Sequence, residues 1–172
     1  MPCYLCVKIL QPMNFTIRKA VATDVNAIFQ LINELAIFEK EPEAVIISPE
    51  ILLEDGFGAA PKFHCFVAET TEEVIGIALV YMRYSTWKGE VLHLEDLIVS
   101  EKARGKGVGG ALLQKVIEFG NDLGVKRIGW EVLDWNTPAI EFYEHIGANV
   151  MRDWHVVQLD AQGIQNYLAK NK

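Results

Sequence analysis

The sequence predicts a mixed α/β domain, a single mixed sheet flanked by helices, and three features carry that prediction. Lys62 to Val99 holds three successive strand-like runs with no helical pattern between them, which reads as a meander. Val91 to Gly120 then runs through strand, glycine-rich turn and helix. Segments of helical period stand on both sides of this block, so strands and helices do not alternate strictly, as they would in a doubly wound dinucleotide fold.

Regular patterning begins only after Met13, which marks residues 1–12 as an N-terminal extension before one domain over residues 13–172, with Met13 a candidate natural start. Phe15 to Lys19 alternates apolar and polar as a strand does. Thr23 or Asp24 then opens a helix whose Val25, Ile28, Leu31, Ile32 and Leu35 recur at helical spacing. Ser48 followed by Pro49 is a cap with proline in the first helical position, and the short helix ends at Gly56. Lys62 to Glu69 and Val74 to Tyr84, rich in β-branched and aromatic residues, form a hairpin through Thr70 to Glu73. Ser85 to Gly89 turns the chain into the central strand. A helix from Ala111 to Gly120 follows, then a strand over Lys126 to Asp134. Asn136-Thr137-Pro138 starts a helix that passes Tyr143 and stops at Gly147. Trp154 to Leu159 is a last strand and Ala161 to Lys170 a short terminal helix.

At 172 residues, about half of them hydrophobic, the chain is long enough for one full core. Its net charge of −7, with the acids dispersed, argues against a nucleic-acid partner and is compatible with a cationic substrate. Cys3, Cys6 and Cys65 are an odd set, and Cys3-x-x-Cys6 has no second pair at zinc spacing, which points to a reducing compartment. Without a membrane-length apolar run or a cleavage site, the expectation is a cytoplasmic protein with no membrane partner.

Arg104-Gly105-Lys106-Gly107-Val108-Gly109-Gly110 lies where a helix begins. Glycines let backbone N–H groups approach an anion closely, and the helix N-terminus adds unpaired donors and the positive end of its dipole. Three ligands compete for this phosphate cradle. A nucleoside-triphosphate loop needs Lys-Ser or Lys-Thr, but Gly107 follows Lys106 and no Ser or Thr stands between Glu101 and Gly120. A dinucleotide fingerprint turns directly after its strand, whereas Ser100 to Ala103 intervene here. The third pattern, Arg-x-x-Gly-x-Gly, remains. A bare glycine turn with no ligand fits less well, because solvent turns seldom concentrate glycine and basic residues at a helix start.

Strict strand parity puts Val91, His93, Glu95, Leu97 and Val99 on one face and Leu92, Leu94, Asp96 and Ile98 on the other, so each face holds an acid among apolar residues. Burial would raise such a carboxyl toward the range useful for accepting a proton near neutrality, which makes Glu95 the base candidate. A purely structural carboxylate satisfies the same pattern and is the preferred reading for Asp96. A bulge would break the alternation. Asn136 stands at a helix start and Tyr143 two turns on, on about the same face; spacing alone favours a core tyrosine. His64, His93, His145 and His155 show no metal-ligand spacing, so no metal is expected. Cys65 and His64 point to opposite faces of a strand and make a poor nucleophile pair.

Arg104 to Gly110 together with Asn136 to Tyr143 resembles the GNAT N-acetyltransferase superfamily. The runs ELAIFEK, EDGFG, HCFVAE, YSTWKG, HLEDLIV and VLDWN resemble its diamine and thialysine acetyltransferase group from about Phe15 to Leu159. The resemblance implies a GNAT-type sheet, acetyl-CoA as co-substrate, a small cationic amine and a homodimer. It implies acetyl-CoA contacts at Leu97, Ile98, Val99, Arg104, Gly105, Lys106, Gly107, Val108, Gly109, Gly110, Asn136, Thr137, Pro138 and Ala139. It puts Tyr143 at the proton-donor position and Glu95 at the base and substrate position. Phe38, Glu39, Gly129, Trp130 and Glu131 fall on the substrate side. A binding protein that keeps the cradle while Glu95 and Tyr143 only pack is the alternative, and CoA release with a small amine separates the two.

Overall fold

The structure, a computed structural model, describes residues 13–170; the expected extension over residues 1–12, with Cys3 and Cys6, lies outside the described residues. The chain divides into two units, one ending at Glu131 and the other beginning at Val132.

The first unit contains, in order, β1 (Thr16–Lys19), a 3-10 turn (Ala22–Asp24), α1 (Val25–Phe38), α2 (Pro49–Phe57), β2 (His64–Glu69), β3 (Val74–Ser85), β4 (Gly89–Val99), a 3-10 turn (Glu101–Ala103), α3 (Val108–Asp122) and β5 (Ile128–Gly129). One mixed sheet runs β1-β2-β3-β4-β5. The first four strands are antiparallel, and β5 lies parallel to β4. The meander expected from Lys62 to Val99 is therefore present, with strand ends shifted by a residue or two.

The helices form where apolar spacing and caps dictate. Ser48 Oγ accepts from Ile51 N at 3.4 Å and Pro49 fills the first position of α2. That helix runs past Gly56, where it was expected to end. A Cβ on Gly56 would fall 2.4 Å from Phe63 Cζ, so the glycine makes room for a ring rather than terminating the helix. α1 and α2 cover one face of the sheet through a core of Val25, Ile28, Leu31, Leu52, Cys65, Val67, Ile77, Leu79 and Ile98. α3 covers the other: Phe119 meets the Phe66 ring edge-on at 5.4 Å. A Cβ on Gly76 would lie 3.1 Å from Leu112 Cδ1, so glycine there allows α3 to sit close on β3. Each fully buried Ile or Leu of this sandwich contributes about 1.5–3 kcal/mol by leaving water.

Two expected strands are corrected. β5 covers only Ile128–Gly129 of the stretch from Lys126 to Asp134, because pairing with β4 ends at His93↔Gly129. In the second unit, which holds α4 (Thr137–His145) and α5 (Ala161–Lys170), residues 154 to 159 form no strand and are exposed. Their composition suits a strand, but a strand forms only against a hydrogen-bonding neighbour. α5 begins where expected, with Asp160 Oδ1 accepting from Gly163 N at 2.7 Å.

The edge strand β1 is fixed by charge. Arg18 donates to both Asp24 oxygens at 2.6 and 2.9 Å and to Glu69 Oε2 at 2.6 Å. Asp24 Oδ2 also accepts from Val21 N at 2.8 Å. The guanidinium holds the Asp24 carboxyl below the usual carboxylate range, so its stabilising contribution is present at neutral pH and is lost as pH falls through that lowered value. We expect Asp24→Ala to cost about 2 kcal/mol in urea denaturation at neutral pH, because it leaves Arg18 partly buried and under-paired. The difference should shrink in acid; an equal loss at every pH would mean that packing alone is responsible.

Candidate active site

The register of β3 against β4 changes at one point. Leu79 faces Asp96 and Val80 faces Leu94, which leaves Glu95 as an extra residue opposite nothing. This bulge corrects the strict alternation expected for the central strand. Val91, His93, Asp96 and Ile98 now share the α1 face with Tyr81, Leu79 and Ile77, while Leu92, Leu94, Leu97 and Val99 share the other. Glu95 turns toward the α1 side too: its Oε2 lies 3.4 Å from His93 Nε2, and the Tyr81 hydroxyl donates to it. The two acids are thus on one face, not on opposite faces.

Their proton affinities differ, and in the opposite sense to the sequence expectation. Glu95 is exposed, and the hydrogen bond from His93, with Tyr81 assisting, outweighs desolvation and holds its carboxyl below the ordinary value. Asp96 is the more enclosed of the two. Desolvation first, then the neighbouring charges of Glu95 and Glu39, push it up to about 6. Glu39, at the C-cap of α1, is itself raised by partial burial. Tyr81 is raised by burial and by Glu95, with a smaller effect from Glu131. Within the first unit, Glu95 and Glu39 thus act on Asp96, and Glu95 and Glu131 on Tyr81. Cys65 stays a thiol, its ionisation disfavoured by burial and then by the charges of Asp96 and Asp24.

Beyond the bulge the strand edge opens. Pairing of β4 with β5 is confined to Leu92↔Ile128 and His93↔Gly129, so from Leu94 to Val99 that edge has no neighbouring strand among the described residues. Leu97, Ile98 and Val99 lie on this open stretch, and Trp130 and Glu131 follow β5. The chain then enters the cradle. Gly105 and Gly107 have φ of 72° and 84°, and a Cβ on either would meet nothing within 4 Å. Gly107 is the N-cap of α3 and supplies no side chain to its first turn. The first helical bond, Ala111 N to Gly107 O, leaves the amides of Val108, Gly109 and Gly110 without an acceptor inside the helix. Arg104 and Lys106 add exposed cationic side chains, Lys106 Nζ donating to Lys102 O at 2.8 Å.

In the second unit Asn136 is the N-cap of α4, but its side chain makes no capping bond; Thr137, Pro138 and Ala139 form the first turn. Tyr143 is buried beside Phe142, with ring centroids 5.7 Å apart, and burial raises its phenol, keeping the hydroxyl protonated.

Residues 25–148 match the acetyltransferase (GNAT) family. The chain belongs to the GNAT acetyltransferases. It is 38% identical over 165 residues to a thialysine N-epsilon-acetyltransferase of Bos taurus, covering 90% of this chain and 97% of that one. It is 32% identical over 158 residues to spermidine/spermine N(1)-acetyltransferase-like protein 1 of Homo sapiens, covering 86% of this chain and 23% of that protein. Among solved structures, an aminoglycoside N-acetyltransferase in complex with CoA superposes with a TM-score of 0.68 at 19% identity, over 90% of this chain and 99% of that one.

The family makes this chain an N-acetyltransferase with a GNAT fold, as the resemblance implied. The cradle fits a pyrophosphate-bearing co-substrate on its own features: free first-turn amides, glycines whose Cβ positions are open, and two cations at the rim. Ser100 Oγ, buried where β4 meets the cradle, has no partner among the described residues and is a further polar group at that junction. Tyr81 and His93 were not singled out by the sequence as site residues; facing partners across a bulge are visible only once the register is known. Asp96 yields a test. Because its folded-state value is raised, it stabilises the fold least above about 6, where the enclosed group is charged. Asp96→Asn should therefore raise thermal stability at pH 7.5, by on the order of 2 kcal/mol, and leave it unchanged near pH 4. A destabilised variant at pH 7.5 would contradict the assigned environment.

Proposed function

We propose that this chain transfers an acetyl group from acetyl-CoA directly to a primary amine of a small diamine, polyamine or lysine-like substrate such as thialysine. The observation that carries the reading is the bulge of β4, which sets a low-pKa carboxylate and a high-pKa carboxylate side by side next to an open strand edge. The names of the relatives support the amine class.

When bound, acetyl-CoA supplies the acyl group as an activated thioester. Residues 104–110, the edge at Leu97 to Val99 and Asn136 to Ala139 would hold it. An alkylammonium with a reference pKa of about 10.4 cannot attack until a proton has left. In this reading Glu95, held below the ordinary carboxylate range by His93, sits beside the reacting ammonium and draws it in. Asp96, whose affinity for a proton lies near neutrality, is the better-matched acceptor, directly or through water. Glu39 and Glu131 hold the second positive charge of the substrate. Nitrogen would then bond to the thioester carbon as the carbon–sulfur bond breaks; the Tyr143 hydroxyl would give the departing sulfur its proton, and the second amine proton would leave through water and restore the phenol. Gly129 and Trp130 form walls of the amine side. The reading uses no metal ion and no nucleic acid, and it takes the enzyme to be a cytoplasmic homodimer. No helix among the described residues is long and apolar enough to cross a membrane.

An amine panel tests this. With acetyl-CoA saturating, CoA release should be faster for short diamines and thialysine than for a monoamine of equal length by roughly 10- to 100-fold in kcat/KM, the effect of one charged hydrogen-bonded contact. A histone-like peptide and an aminoglycoside should be poor substrates. Equal rates for diamine and monoamine, or turnover of peptide or aminoglycoside alone, would overturn the substrate class.

A further inference from the structure

We infer that Phe38 and Glu34, one turn apart on α1, are positioning residues for the cradle arginine, so that Phe38 serves the acetyl-CoA side of the reaction and not the amine side. This deepens the proposed function and rests on the reading of residues 104–110 as the acetyl-CoA cradle.

Residues four apart on a helix present side chains to the same neighbour. Here that neighbour is the lead-in to the cradle. Glu34 Oε1 accepts from Glu101 N at 2.7 Å and lies 3.7 Å from Arg104 Nη2. The Phe38 ring lies under the guanidinium, with Arg104 Cζ 5.1 Å from its centroid. Arg104 Nε donates to Val99 O at 3.0 Å, which ties the side chain back to the end of β4. The guanidinium is thus held by a backbone carbonyl, a carboxylate and an aromatic face, while Nη1 has no hydrogen bond among the described residues. A planar, weakly hydrated cation stacks well on a ring and presents its remaining donors in a fixed direction. An arginine fixed in this way loses less freedom when it meets a pyrophosphate oxygen than one waving in solvent. Glu34 also pins the amide of Glu101, so the same helix face fixes both the turn that precedes the cradle and the arginine that opens it. The residue after Phe38 is Glu39, whose charge raises Asp96. One helix end therefore borders the cradle with Phe38 and the acid pair with Glu39.

The test is a split between the two substrates. Phe38→Leu keeps apolar volume but removes the ring face. It should weaken acetyl-CoA binding about fivefold by calorimetry, with the amine KM and the kcat at saturating acetyl-CoA within about twofold of wild type. Phe38→Tyr, which keeps the ring, should restore binding. Glu34→Gln should weaken acetyl-CoA binding in the same sense, which keeps the test decisive if Phe38→Leu folds poorly. A raised amine KM with unchanged acetyl-CoA affinity in Phe38→Leu, or wild-type acetyl-CoA affinity in Glu34→Gln, would overturn the inference. Gly109→Val serves as the separate control for the cradle. Unchanged acetyl-CoA affinity in that variant would remove the cradle itself, whereas lost affinity there with intact affinity in the Phe38 and Glu34 variants would remove only the positioning role.

Discussion

The extra residue in β4 decides where the chemistry-bearing groups of the first unit stand. A regular strand from Val91 to Val99 would hold Glu95 and Asp96 on opposite faces, one against the helix α3 and one against α1. With Glu95 unpaired between Leu94 and Asp96, both acids reach the α1 side, and every later residue of the strand changes face. Ile98 joins the core under α1, and Val99 turns toward α3, where a Cβ on Gly109 would meet its Cγ2 at 3.6 Å. The pairing of β4 with β5 stops at His93, two residues before the bulge. A bulge, an open edge and a glycine cradle thus follow one another within about twenty residues.

This arrangement has a stability cost that ordinary core design would avoid. Asp96 is a partly enclosed carboxyl with two other carboxylates acting on it, and desolvation and repulsion both oppose its charge. The fold tolerates it because the surrounding sheet is filled with fully buried Ile77, Ile75, Leu92, Leu94 and Val80. The contrast with Asp24 is instructive. That acid is also largely shielded from water, yet two hydrogen bonds from Arg18 and one from Val21 hold it anionic and make it a structural anchor of β1. The same residue type is held anionic or raised toward neutrality according to whether its neighbours are cationic donors or other acids.

The sheet, the meander and the three helices of the first unit were legible because apolar period and caps are local properties. The glycine turn at the start of α3 was legible too, since glycines and basic residues at a helix start are written in consecutive residues. The acid pair was read only in part. Sequence marked both carboxylates as unusual in a strand, but which one is the more enclosed depends on a register shift set by the partner strand, and no pattern within β4 reports it. Strand pattern alone accordingly favours a structural Asp96 and an upward shift for Glu95, the reverse of what the register produces. The strand expected at Trp154 to Leu159 fails for a related reason: composition states a preference, while pairing is decided by another segment. The roles proposed for Tyr143 and for Asn136 to Ala139 rest on family resemblance, and spacing alone reads Tyr143 as packing.

The account's central claim is that the bulge gives the two adjacent acids opposite proton affinities on one face. Carboxyl-carbon NMR titration of the free enzyme, with Glu95→Gln and Asp96→Asn used only to assign the two signals, measures this directly. The Asp96 signal should titrate near 6 and the Glu95 signal below the ordinary glutamate value. Titration of Asp96 in the ordinary aspartate range, with Glu95 above it, would contradict the account.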